Sequence, residues 1–146
     1  MAVLKPIVAS QAVKHAEFIF NFDDTMLDVN AVSKDFKTYG ATVTFDAIKL
    51  PPNSVIVGGA ITEETAYAGP TAATLTVGDS SSTSRYASID LMGTSGRTSL
   101  TLTGFVNTTG LPIRLTLAPT VANATAGKVR VTVMYIQQGQ SDFVTG

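Results

Sequence analysis

The chain closes on a run of strict alternation, with Val129, Val131, Val133 and Tyr135 on one parity and Arg130, Thr132, Met134 and Ile136 on the other. Period two scatters apolar side chains around a helix but gathers them on one face of a strand, so this run predicts a strand with one buried face. The same period recurs along the chain. Phe18, Phe20 and Phe22 share a face, and Ala41, Val43 and Phe45 alternate with Thr42, Thr44 and Asp46 toward Ile48 and Leu50. That strand stops at Pro51-Pro52-Asn53, because proline has no ladder donor. Val55 and Val57 share a face within Ser54 to Thr62, where Gly58-Gly59 predicts a bulge or bend. Ala73, Leu75 and Val77 point inward against Thr74 and Thr76, and Tyr86 to Leu91 reads as a short strand. Leu100 and Leu102 alternate with Thr101 and Thr103, and Leu111, Ile113, Leu115 and Leu117 with Pro112, Arg114, Thr116 and Ala118.

Turns separate these runs at Tyr67-Ala68-Gly69-Pro70 and Gly93-Thr94-Ser95-Gly96. Within the more polar stretch from Asp23 to Lys37, residues Ala31 to Lys37 have the composition of a single helical turn. Many short strands between Gly, Pro, Asn and Ser clusters predict an all-β antiparallel sandwich or barrel. The long irregular loops favour two packed sheets over a closed barrel. Residues 1–15 have no period and contain Pro6, so they read as an N-terminal arm that packs on the domain or a neighbour. Residues 16–146 read as a single β-sandwich domain.

A chain of 146 residues with 45% apolar content can bury a core without metals or disulfides, and it contains no cysteine. Only 14% of its residues are charged, against roughly 25% in ordinary soluble domains. Small neutral side chains are cheap to desolvate, so a surface of Thr, Ser, Ala and Gly suits coverage by other copies or partners. A net charge of −1 argues against a nucleic-acid binder, which needs a basic face. Arg85, Arg97, Arg114 and Arg130 are too scattered for such a face and read as partners of carboxylates in neighbouring strands or subunits. No run approaches 18 apolar residues, so no membrane-spanning helix is expected. The first residues lack the cationic start and apolar core of a signal peptide, which predicts synthesis in the cytoplasm. Asn107-Thr108-Thr109 and Asn123-Ala124-Thr125 match the glycosylation sequon and read as turns.

Catalytic chemistry finds little support. The single histidine, His15, lies in the arm, no Gly-x-Ser-x-Gly elbow accompanies it, and it reads as a solvated or interface imidazole. Glu17, Asp23, Asp24, Asp28 and Asp35 lack the spacing of a calcium loop and read as solvated loop carboxylates, with calcium as the competing reading. The expectation is a non-enzyme with no cofactor. Glycan binding on a sandwich favours exposed aromatics, above all Trp. There is no Trp here, and Tyr39, Tyr67 and Tyr86 are the rings that loops could present.

The stretch from Thr74 to Tyr86 holds the most distinctive corner: a strand, a Gly78-Asp79 turn, a run of small hydroxyl residues, then Arg85-Tyr86. Asp79 suits hydrogen bonds from the following backbone, and Arg85 is placed to close the loop on it. Asp79, Arg85 and Arg97, with Lys5 and Pro6 of the arm, are the candidate interface residues.

Four runs carry a family resemblance. They are Leu50-Pro51-Pro52-Asn53-Ser54-Val55-Ile56-Val57-Gly58-Gly59, Val77-Gly78-Asp79 with Arg85-Tyr86, Gly96-Arg97-Thr98, and Ala124-Thr125-Ala126-Gly127-Lys128-Val129-Arg130-Val131-Thr132-Val133. In this order they resemble the capsid decoration, cement or head structural proteins of tailed bacteriophages. The resemblance implies a jelly-roll-like β-sandwich, a homotrimer on the outside of the head, and the major capsid protein as partner, with no nucleic acid and no membrane. It fixes no contact residue. A fibre or adhesin domain that binds host glycans, or a head–tail or tail component, is the alternative.

Overall fold

The computed structural model describes residues 12–93 and 96–138. These form eleven strands: β1 (Lys14–Asn21), β2 (Thr25–Leu27), β3 (Ser33–Asp35), β4 (Val43–Ile48), β5 (Ser54–Ala68), β6 (Ala72–Gly78), β7 (Ala87–Asp90), β8 (Arg97–Ser99), β9 (Val106–Asn107), β10 (Ile113–Thr120) and β11 (Ala126–Gln137). One sheet runs β1-β11-β5-β8, with β9 also on β5; the other runs β4-β10-β6-β7; β2 and β3 form a small hairpin. Every pairing is antiparallel. Without the hairpin and β9, the main strands in chain order run first-eighth-third-sixth in one sheet and second-seventh-fourth-fifth in the other. That interleaving is the double Greek key of a jelly roll. The fold is the all-β sandwich that the alternation predicts.

The core lies between the sheets. Val129, Val131 and Val133 of β11 meet Ala73, Leu75 and Val77 of β6 and Ile113, Leu115 and Leu117 of β10, all buried at the parity read from the sequence. At one end Phe20, Phe36 and Phe45 form a column, with Phe20 and Phe36 stacked at 4.3 Å and Phe36 and Phe45 tilted, their centroids 4.5 Å apart. The Tyr67 hydroxyl donates to the Phe36 carbonyl and fixes the column to β5. A Cβ on Gly127, whose φ is +147°, would lie 2.2 Å from the Tyr67 ring. The Ala-Gly-Lys step that opens β11 therefore gives this aromatic its room.

Several expected elements differ. Ala31 to Lys37 forms no helical turn: Ala31 has φ 59°, and Asp28 Oδ1 accepts the Asn30 and Val32 amides, turning the chain back as the β2–β3 hairpin. Leu100 and Leu102 form no strand. The Leu100 amide bonds Gly59 in one sheet and the Thr101 amide bonds Tyr86 beside the other, so this segment crosses between sheets and neither can offer it a ladder. Leu100 is buried and Leu102 exposed. On β4, Ile113 faces Ile48 and Arg114 faces Asp46, which leaves Ala47 as a bulge and turns Ile48 inward. β5 extends to Ala68 and skips a residue at Val57, beside the expected Gly58-Gly59 bend, and again at Glu64. Between Val55 and Val57, Ile56 enters the core.

Candidate interface site

The Gly78 corner is built around a buried carboxylate. Asp79 is 2% exposed. Its Oδ1 accepts the Ser81 amide (2.8 Å), the Ser81 hydroxyl (2.7 Å) and the Ser82 amide (2.9 Å). Its Oδ2 takes Arg85 Nε at 2.6 Å, and Arg85 Nη2 also donates to Ser81 Oγ at 2.8 Å. The guanidinium carbon lies 3.6 Å from the centroid of the Phe105 ring. Burial pushes the Asp79 carboxyl up, but hydrogen bonds from Arg85, Ser81 and Ser82 outweigh it and hold it below its ordinary value. A Cβ on Gly78 would stand 2.1 Å from the Ser82 carbonyl oxygen, so the loop folds back over a position only glycine fills. Sequence reasoning found the Asp79–Arg85 pair. It missed Phe105, which lies just past the alternating run from Leu100 to Thr103.

Arg97 stands on β8 in the other sheet, exposed, with no ion pair among the described residues. The structure does not bring it to the Asp79 loop. Lys5 and Pro6 lie outside the described residues. The other arginines find carboxylates across strands, as their spacing suggests. Arg114 Nε bonds Asp46 at 2.7 Å. Arg130 Nη1 bonds Glu17 at 3.1 Å and Arg130 Nε bonds Glu64 at 2.6 Å. Lys128 Nζ reaches Glu64 at 2.9 Å. Hydrogen bonds from Lys128 and then Arg130 hold the Glu64 carboxyl below its usual range.

The loop carboxylates cap turns. Asp24 Oδ2 accepts the Asn21 amide, and Asp35 Oδ1 accepts the amides of Lys37 and Thr38. No group of three or more His, Asp or Glu converges as a metal site among the described residues. The two sequon asparagines also serve turns: Asn107 exchanges both amide hydrogen bonds with Leu111, and Asn123 accepts the Tyr39 amide. Of the three tyrosines considered for glycans, Tyr67 and Tyr86 are core residues and only Tyr39 is exposed. Burial and then the Asp35 charge push the Tyr67 phenol up, so it stays a hydrogen-bond donor. His15 is exposed on β1, opposite Met134.

One carboxylate escaped sequence reasoning. Glu63 pairs with Val129, so it points between the sheets, and neither of its buried oxygens has a hydrogen-bond partner. Burial and then the nearby Asp90 raise its carboxyl above its ordinary value.

No protein-family model and no curated protein matches the chain. Solved structures do. A chain of the cyanophage Pam1 capsid asymmetric unit aligns with a TM-score of 0.60 and 25% identity, over 94% of this chain and 92% of that one. A chain of the acidic stable capsid structure of Helicobacter pylori bacteriophage KHP30 shares the fold at a TM-score of 0.62 and 13% identity, over 88% and 90%. Both of these are chains of phage capsid structures, the assemblies to which the sequence resemblance points.

Proposed function

We propose that this protein is a structural component of a phage virion, and more specifically a decoration or cement protein. In this reading it binds the outside of the head as a homotrimer and holds neighbouring major capsid subunits together. The observation that carries the reading is the end-to-end likeness, at 25% identity, to a chain of the cyanophage Pam1 capsid asymmetric unit. The surface supports it. Leu27, Val29, Val32 and Tyr39, on and around the β2–β3 hairpin, are exposed apolar side chains on a chain with few charges. Such groups gain from burial against a partner. The Asp79–Arg85–Phe105 cluster gives a rigid loop at the end of the sandwich, and with Arg97 and the arm residues Lys5 and Pro6 it is a proposed contact with the shell.

The test is made on particles. Purified virions should contain the chain in stoichiometric amounts, and electron cryomicroscopy should show its density on the outer surface at the junctions of capsid subunits. Heads assembled without it should lose integrity at a lower temperature and recover when the purified protein is added. Absence of the chain from purified particles overturns the virion reading. Presence without any effect on head stability overturns the cement role alone.

A further inference from the structure

β1 has an open hydrogen-bonding edge. In an antiparallel strand, the amide and carbonyl of one residue point to the same side, and successive residues alternate sides. The Phe22 amide bonds Gly127 of β11, so the even residues of β1 face β11 and the odd residues face away. Asn21 confirms the parity. Its amide is accepted by Asp24 Oδ2 at 2.7 Å, and its carbonyl accepts the Asp24 amide at 3.1 Å, both on the side away from β11. The edge is therefore closed at Asn21. At His15, Glu17 and Ile19 it is open, with no bond on that side among the described residues.

The other edges are protected. β7, β8 and β9 have four, three and two residues, and β4 receives the Val29 amide on Thr44. β1 has eight residues, no proline and no bulge. An edge of that length with no proline, no bulge and no covering strand among the described residues is a template for another strand.

We propose that the strand it takes is β1 of a second copy of this chain, antiparallel, with the two-fold axis at Ala16. Register favours this, since a two-fold at His15 would set apolar Val13 against Glu17 of the second copy and stack two imidazoles. A two-fold at Glu17 sets Glu17 against its own copy, and like charges directly opposite repel. A two-fold at Phe18 pairs His15 with Asn21, whose edge groups Asp24 already holds. A two-fold at Ala16 pairs His15 with Glu17 of the second copy, twice, which matches an imidazole to a carboxylate. It also pairs Val13 with Ile19 of the second copy. Both are exposed, at 54% and 38%.

That second pair extends an apolar row already on the outer face. Val13 lies one step beyond the Lys14–Tyr135 pair, beside Ile136, and Ile136 pairs with Val55, which pairs with Val106. Ile19 of the second copy continues this row across the new junction. The contact is isologous and closes after two copies, so in a trimeric protein it joins one trimer to the next. It stands whether or not the virion reading does.

Ala16 faces β11, so across the new edge the two copies of Ala16 form a non-hydrogen-bonded pair, with Cα atoms about 4.5 Å apart, inside the range of a disulfide. The chain has no cysteine, so Ala16→Cys introduces a single thiol. Mild oxidation of the purified full chain should cross-link Ala16→Cys at least tenfold faster than Ile19→Cys, whose two copies lie six residues out of register. His15→Pro removes an amide only from the open edge, so it should keep the urea midpoint of the wild type while halving the mass of the associated species in light scattering. Equal cross-linking of the two cysteine variants overturns the proposal. So does a wild-type mass unchanged by His15→Pro, or cross-linking of Ala16→Cys that appears only after residues 2–11 are deleted, which would place the chain's own arm on this edge.

Discussion

Asp79 and Glu63 are carboxylates in the same sandwich with opposite titration behaviour, because one is surrounded by donors and the other by none. Asp79→Asn keeps Oδ1 as acceptor for the Ser81 and Ser82 amides but sets an NH2 group against Arg85 Nε and leaves that partly buried guanidinium without its counter-charge. It should therefore cost about 2–3 kcal/mol, read as a lower urea midpoint at pH 7. Its folded pKa is depressed. The Asp79 contribution is therefore complete above the unfolded value, about 3.9, and is lost as pH falls through the folded one. Glu63 has the opposite sign. Its folded pKa is raised from 4.5, so ionising it costs stability as pH rises from the unfolded value through the folded one. Glu63→Gln should raise the urea midpoint at pH 7.5 and leave it unchanged near pH 4. An equal effect at both values would mean that charge plays no part. The Asp79 partner was legible because a Gly-Asp turn and an arginine lay six residues apart. Glu63 was not, since no local pattern announces which carboxylate a bulge will aim between the sheets.

At the scale of elements, legibility followed unbroken alternation within the strand. β6, β10 and β11 keep unbroken alternation through long ladders, and their buried faces fall where the sequence placed them. Legibility failed where the backbone breaks period two. The Ala47 bulge reverses β4, and the crossing segment after β8 alternates Leu and Thr without a neighbour to pair with. Ala31 to Lys37 was read by composition, and the Asp28 turn overrode it. β11 also gives the sharpest test of faces. Val131 is fully buried between the sheets, and an unpaired carboxylate there costs several kcal/mol, so Val131→Asp should abolish the cooperative unfolding transition. Thr132→Lys, on the outer face opposite Glu17, should leave it within about 0.5 kcal/mol of the wild type. Similar outcomes for the two would contradict the parity.

The whole molecule is closed by its two most distant strands, since β1, at the start of the described chain, pairs along its full length with β11 at the end. Non-local closure of this kind predicts slow folding, in milliseconds to seconds, as one cooperative unit. All the described core residues lie from Phe20 to Val133, and the contacts among them need none of residues 2–11. Deleting those residues should therefore leave the urea midpoint within about 0.5 kcal/mol of the full chain. If the arm with Lys5 and Pro6 grips the shell, the truncated protein should bind naked heads at least tenfold more weakly, measured by co-sedimentation with increasing protein. Binding equal to the full chain would move the shell contact onto the sandwich, and the Asp79–Arg85 loop would be the next surface to alter.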